Sequence, residues 1–169
     1  MLKLLPILFF AAVNISQISI FEIDGIFSNG HINAIQRYVD ENDLRESNLF
    51  VIQYNASDTS ENSVTELQEL LKDIKTPKAI WVGPNETIVD AGLLKSFDYV
   101  GISPGTTIIN KLSNNEFEFL DQEGIYEGYM VVGSIGAFIE NLGSENIISN
   151  LTSLEGSTPG IVSFDINSD

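Results

Sequence analysis

The chain has 169 residues, 43% of them hydrophobic, enough for one folded domain with a sizeable core and contrary to the composition of a disordered chain. Its 24 acidic residues against 8 basic ones give a formal charge of -16, a field that repels nucleic acid and anionic membrane surfaces. Cysteine is absent and His31 is the only histidine, which excludes disulfides, thiolate nucleophiles and multi-histidine metal sites within one chain.

The amino terminus carries one positive charge, Lys3, and then the apolar run Leu4 to Val13. That is the pattern of a signal-peptide core, and it is short for a membrane span, which needs about twenty residues. Residues 1–16 are therefore expected to be an export signal or an N-terminal anchor, and residues 17–169 a single exported domain. Four sequons, at Asn14, Asn55, Asn85 and Asn150, are expected by chance in a chain this rich in Asn and Ser.

The first predicted element is a β-branched strand from Ile18 to Asp24, ended by Gly25. Ile32, Ile35 and Val39 then recur at helical spacing, so residues 31–42 read as an amphipathic helix with His31 at its start as a surface or capping residue. Leu49 to Tyr54 is a buried strand, followed by Asn55-Ala56-Ser57-Asp58-Thr59-Ser60 as a loop. Residues 63–74 make the best helix in the chain. Ser63 and Glu66 form a capping box, and Val64, Leu67, Leu70, Leu71 and Ile74 form one apolar stripe. Strand, helix, strand, helix, strand in this order indicates an α/β fold with a parallel sheet and crossover helices.

Ala79-Ile80-Trp81-Val82 is a short buried strand broken by Gly83-Pro84-Asn85. A small-residue segment with Asp90-Ala91-Gly92 follows, then the apolar run Tyr99 to Ile102, and then Ser103-Pro104-Gly105-Thr106, a tight turn by composition. Val82, Pro84, Ala91, Gly92, Pro104, Gly105 and Thr106 together resemble the V-x-P, A-G and P-G-T pattern of the ClpP-class membrane serine peptidases, the nodulation efficiency protein D (NfeD) family that partners stomatins. Ile23-Asp24-Gly25-Ile26 is similar to that family's opening strand. The Gly92-to-Pro104 interval is slightly shorter than the family's. The resemblance implies a ClpP/crotonase-like fold, a parallel sheet with repeated strand-strand-helix units.

It also implies lost chemistry. The family's nucleophilic serine position holds Asp90. Its oxyanion glycines correspond to Asn55, Ala56, Ser57 and Asp58, with no glycine among them. Its catalytic lysine should come from about Leu120 to Gly136, yet no Lys or Arg follows Lys111. Such a site needs an activated nucleophile and unobstructed N–H donors.

Beyond Ile109, Ile125 to Leu142 reads as a buried or partner-facing helix weakened by Gly128, Gly133 and Gly136, which leaves room for a homo-oligomer. Asn146 to Leu154 is similar to the stretch that closes the family's peptidase domain, and Ile161 to Ile166 reads as a last strand. Nucleotide-binding and metal motifs are absent, so no cofactor is expected; Asp90, Asp98 and Asp121 have no spacing that would fix them as a metal site.

Two function classes follow. One is a non-catalytic relative that binds a protein or peptide in the former active-site groove at the membrane, with a stomatin-like or full-length NfeD-type protein as partner. The other is a peptidase with an atypical nucleophile among Ser57, Thr87 and Ser96. An unrelated α/β binding domain is the remaining reading.

Overall fold

The computed structural model describes residues 17–41, 44, 47–59, 61–84, 88–111, 117–120 and 128–144. Strand β1 (Gln17–Phe27), helix α1 (Asn29–Glu41), strand β2 (Ser47–Thr59) and helix α2 (Glu61–Asp73) lead into β3 (Lys78–Val82) and β4 (Ile88–Asp90). Then come helix α3 (Ala91–Leu94), β5 (Tyr99–Ile102), β6 (Thr107–Lys111), β7 (Phe117–Leu120), β8 (Met130–Val131) and helix α4 (Ile135–Ser144). The main sheet has five strands in the order β1-β2-β3-β5-β8, every pair parallel. A smaller sheet, β4-β6-β7, pairs β4 with β6 in parallel and β6 with β7 antiparallel.

The sequence dictates this through side chains that alternate across strands apolar on both faces, the mark of a parallel sheet covered on both sides. On β2, Phe50, Ile52 and Tyr54 face one way and join Ile35 and Tyr38 of α1 and Leu67 and Leu71 of α2 in one cluster. Leu49 and Val51 face the other way and pack with Trp81 of β3 and Phe138, Ile139 and Leu142 of α4. Strand–strand–helix is complete at β3-β4-α3, whereas β1 and β2 each run as one long strand into a helix.

Four expectations change. Gly25 does not end β1: it adopts φ 70, the strand continues to Phe27, and the register with β2 shifts there by a bulge. Helix α2 starts at Glu61, so Ser63 lies inside it. Ser63 is fully buried, and its hydroxyl donates to Asn29 Oδ1 at 3.1 Å instead of forming a capping box. Residues 55–59 are strand rather than loop, because β1 extends alongside them. The expected helix over Ile125 to Leu142 begins only at Ile135. Before it, Gly128 takes φ 103, Met130 and Val131 join β5, and the Ser134 hydroxyl accepts from Ala137 N–H at 3.1 Å in the first turn. Asn146 to Leu154 and Ile161 to Ile166 lie outside the described residues.

Helix α4 is seated by a missing side chain. A Cβ on Gly101 of β5 would stand 2.6 Å from the Phe138 ring, so only glycine lets that ring lie flat on the sheet. Trp81 secures the approach by donating its indole N–H to Val132 O at 3.3 Å. Overpacking of this kind costs about 1–3 kcal/mol. Gly101→Ala is therefore expected to lower unfolding stability in urea by that amount, with part of the loss recovered in a Gly101→Ala/Phe138→Leu double variant. A double-mutant cycle with no coupling between the two positions would contradict this packing.

Candidate functional site

Because the main-sheet strands are all parallel, their carboxyl ends share one end of the molecule, where open α/β sheets place their ligands. The motif residues gather there. Gly83 N–H extends the ladder by one step, donating to Tyr54 O at 2.9 Å. A side chain at Gly83 would overlap the Asn55 carboxamide, which would have to leave its present position beside Glu22. Ser103 N–H donates to Val82 O at 2.9 Å, and Thr106 N–H donates back to Ser103 O at 3.2 Å to close the turn. Gly105 takes φ 88 in that turn, a value that favours glycine. The Thr106 hydroxyl lies 2.8 Å from Ser103 O and 3.2 Å from Gly83 O, and its one hydrogen ties the Pro104-Gly105 turn to the end of β3. Pro84 and Pro104 are both exposed beside this junction.

Asp90 ends β4, where it pairs with Ile109 of β6, and serves as the N-cap of α3. Its Oδ1 accepts from Gly92 N–H at 2.6 Å and from Leu93 N–H at 3.3 Å. First-turn amides of a helix are a ready anion site. Here the anion is the chain's own carboxylate. Ala91 is buried, and Gly92 O accepts from the Gln68 side chain of α2 at 3.0 Å, which holds the short helix in place.

The stretch matched to the family's oxyanion loop, Asn55 to Asp58, makes contacts of its own. Asn55 Nδ2 and Gln53 Nε2 both donate to Glu22 Oε1, at 3.1 and 2.7 Å. Ala56 is buried and pairs with Gly25, while Ser57 is the extra residue of the bulge between the Ala56 and Asp58 pairings. The Ser57 hydroxyl donates to Gly25 O at 3.2 Å. Ser96 follows α3 and donates its N–H to Leu93 O, at the opposite end of that helix from Asp90. Thr87 lies outside the described residues. Among the described residues, no lysine ammonium is hydrogen-bonded to a hydroxyl, and no three acidic or histidine side chains converge to hold a metal. Asp98 sits instead at the start of β3, accepting from Lys78 N–H at 2.8 Å, and Asp121 lies outside the described residues.

β2 outruns β3. Tyr54 opposite Val82 is their last pair, and among the described residues, residues 56–59 pair in the sheet only with β1. β4 packs against β2. Glu22, Gln53 and Gln68 had no signal in the sequence, since each is a polar residue on an element identified by its apolar positions.

His31, in the first turn of α1, accepts from Ser28 N–H at Nδ1 (3.4 Å) and lies against the Phe27 ring at 5.9 Å. Burial lowers its pKa below 6.5, and the nearby Asp24 charge opposes that shift only in part. The unfolded chain therefore binds the proton more readily, and stability is expected to fall as pH drops through about 6.5 and to level off once the folded pKa is passed. Urea midpoints measured from pH 7.5 downwards should show this fall, and His31→Gln should remove it; an unchanged profile in the variant would assign the fall elsewhere. Asp90→Ala should cost about 1 kcal/mol through the lost cap, and Asp90→Asn much less. Equal losses in the two variants would argue against capping.

No protein-family profile matches the sequence. No curated protein matches it either. Among solved structures, the chain is similar to the 1510-N membrane protease specific for a stomatin homolog from Pyrococcus horikoshii, with 12% identity over 75% of this chain and 78% of that one and a TM-score of 0.59. It also matches a variant of the 1510-N membrane-bound stomatin-specific protease in complex with a substrate peptide, at 14% identity over 76% and 58% of the two chains and a TM-score of 0.48. A ClpP1 variant from Listeria monocytogenes matches at 12% identity over 54% of each chain, with a TM-score of 0.44. With its mostly parallel sheet, and with the V-x-P and P-G-T residues at the carboxyl ends of β3 and β5, the chain has the ClpP-like fold of an NfeD-type peptidase domain.

Proposed function

We propose that this chain is a non-catalytic ClpP-like domain that binds a peptide or protein segment at the carboxyl end of its sheet. The observation that carries the reading is the engagement of Asp90. The residue at the nucleophile position spends Oδ1 on the two amides of α3, so those donors are already satisfied. Acyl transfer needs a nucleophile, a base that activates it and free donors for the oxyanion, and losing one of these commonly costs several powers of ten.

Binding needs less, and among the described residues, residues 56–59 are paired on the β1 side alone. An extended peptide can add to such an edge through main-chain hydrogen bonds. The structural neighbour's specificity for a stomatin homolog makes a stomatin-like protein, or a full-length NfeD-type protein, the first partner to test. We place the domain outside the cytoplasm at the membrane, with residues 1–16 as export signal or anchor. Among the described residues no helix is long and apolar enough to cross a membrane.

The wild-type protein is expected not to react with a fluorophosphonate probe or to cleave hydrophobic peptides, and Asp90→Ser is expected to restore neither. Hydrophobic peptides should instead shift the amide resonances of residues 57–59 and 90–92. Covalent labelling at Ser57 or Ser96 that disappears when that residue is mutated would make the protein a peptidase. Peptide-induced shifts confined to other regions would remove the strand-edge site.

A further inference from the structure

Two bonds in the chain place a glycine directly after a short acidic or amide side chain, Asp24-Gly25 and Asn29-Gly30, and each pair occurs once in the sequence. Such bonds are open to a slow self-reaction, because glycine has no Cβ to shield its nitrogen from the preceding side-chain carbonyl carbon. In a disordered peptide the Asn-Gly bond is the faster of the two, since a carboxylate resists attack by a nucleophile. The fold treats them differently. Asp24 and Gly25 are both exposed, at the point where β1 bulges against β2. Gly25 N–H donates to Asp24 Oδ1 at 3.0 Å, so the attacking nitrogen already stands beside the carboxyl group. Gly25 holds φ 70, and a Cβ built on it would meet nothing within 4 Å, so the space around the bond is open. Asn29 and Gly30 instead lie in the first turn of α1, where His31 N–H and Ile32 N–H both donate to Ser28 O, at 3.0 and 3.4 Å. The Asn29 carboxamide is tied as well. Its Oδ1 accepts from the Ser63 hydroxyl at 3.1 Å, and Ser63 is fully buried in α2.

We propose that Asp24-Gly25 is a site of spontaneous aspartate isomerisation in the folded protein, and that the fold protects Asn29-Gly30 from the corresponding deamidation. The modification is independent of the function proposed above. At Asp24 the Gly25 nitrogen attacks Cγ of the protonated carboxyl. An N–Cγ bond forms, the Cγ–OH bond breaks, and water leaves, made of that hydroxyl and the Gly25 amide proton. The product is a five-membered succinimide, and water then adds at either of its ring carbonyls. Opening at Cγ restores Asp24. Opening at the main-chain carbonyl carbon breaks its bond to Gly25 N and leaves the chain running through Cβ and Cγ, with a free carboxylate on Cα. The water taken up equals the water lost, so the mass does not change. The isoaspartyl product lengthens the main chain where β1 already shifts register against β2, and the bulge there can take up the added length. It also moves Gly25 O, the acceptor of the Ser57 hydroxyl. Ring closure at Asn29 would have to turn its backbone out of the first turn of α1 and pull the carboxamide away from Ser63. Proximity decides between the two, since a group held beside its nucleophile reacts far faster than one held away from it.

The test ages the whole chain at physiological temperature, once in native buffer and once in denaturing urea, and digests samples over time. Peptide mass reports deamidation, and methylation by an isoaspartyl methyltransferase, located by fragmentation, reports isoaspartate. In the native protein isoaspartate is expected at Asp24 before the Asn29 peptide gains mass, and in urea the order should reverse. Folding should slow Asn29 deamidation by about tenfold or more, because only the locally opened first turn of α1 reacts. Asp24→Glu keeps the charge but would need a six-membered ring, so it should abolish the native isoaspartate signal and leave Asn29 unchanged. Aged wild-type protein should also show shifted amide resonances at Gly25, Ala56 and Ser57. Deamidation of Asn29 ahead of Asp24 in the native protein would overturn the proposal. A native isoaspartate signal that survives Asp24→Glu would do the same, as would its absence over a period in which the unfolded chain converts Asp24.

Discussion

Strand β2 carries apolar side chains on both of its faces along most of its length, and that double burial governs the rest of the architecture. Leu49, Phe50, Val51, Ile52 and Tyr54 are each fully buried. A strand of this kind has no face to give to water, so it must lie inside a sheet with cover above and below. Parallel neighbours supply the first condition, because β1 and β3 each reach β2 through a crossover helix. Helices α1 and α2 cover one face and α4 the other. Once every strand runs the same way, all the irregular exits fall at one end. The proposed binding region is a consequence of how β2 is buried.

One carboxylate, Asp90 at the end of β4, organises the short helix that follows it. The first turn of α3 exposes N–H groups that favour negative charge. Asp90 supplies the acceptor, its Oδ1 at 2.6 Å from Gly92 N–H, and so holds the start of α3. Gln68 adds to this from α2, and Thr106 ties the neighbouring turn to Gly83. Gly105, at φ 88, meets a backbone demand of the turn after β5 that is independent of any catalysis.

The proposed peptide site draws on backbone groups, since residues 56–59 of β2 run past the end of β3 and pair with β1, an arrangement that suits an extended segment.

The elements defined by their own side-chain pattern were legible from the sequence. The strands at Ala79 to Val82 and Tyr99 to Ile102, the stripe of Leu67, Leu71 and Ile74, and the turn at Ser103 to Thr106 needed only short-range spacing and turn chemistry. The resemblance on Val82, Pro84, Ala91, Gly92 and the Pro104-Gly105-Thr106 turn was legible for the same reason, since each residue is demanded locally. What depended on a distant partner was not. Residues 55–59 read as a loop because their composition is that of one, and they became strand only because β1 runs on beside them past Gly25. Ser63 looked like a cap until burial against Asn29 drew it inside α2. The resemblance gave Asp90 only an expected position, whereas its role as a cap required the amides of α3 to be folded beside it. A side chain's type is fixed by the chain alone, whereas its hydrogen-bond partner is fixed by which surfaces the core brings together.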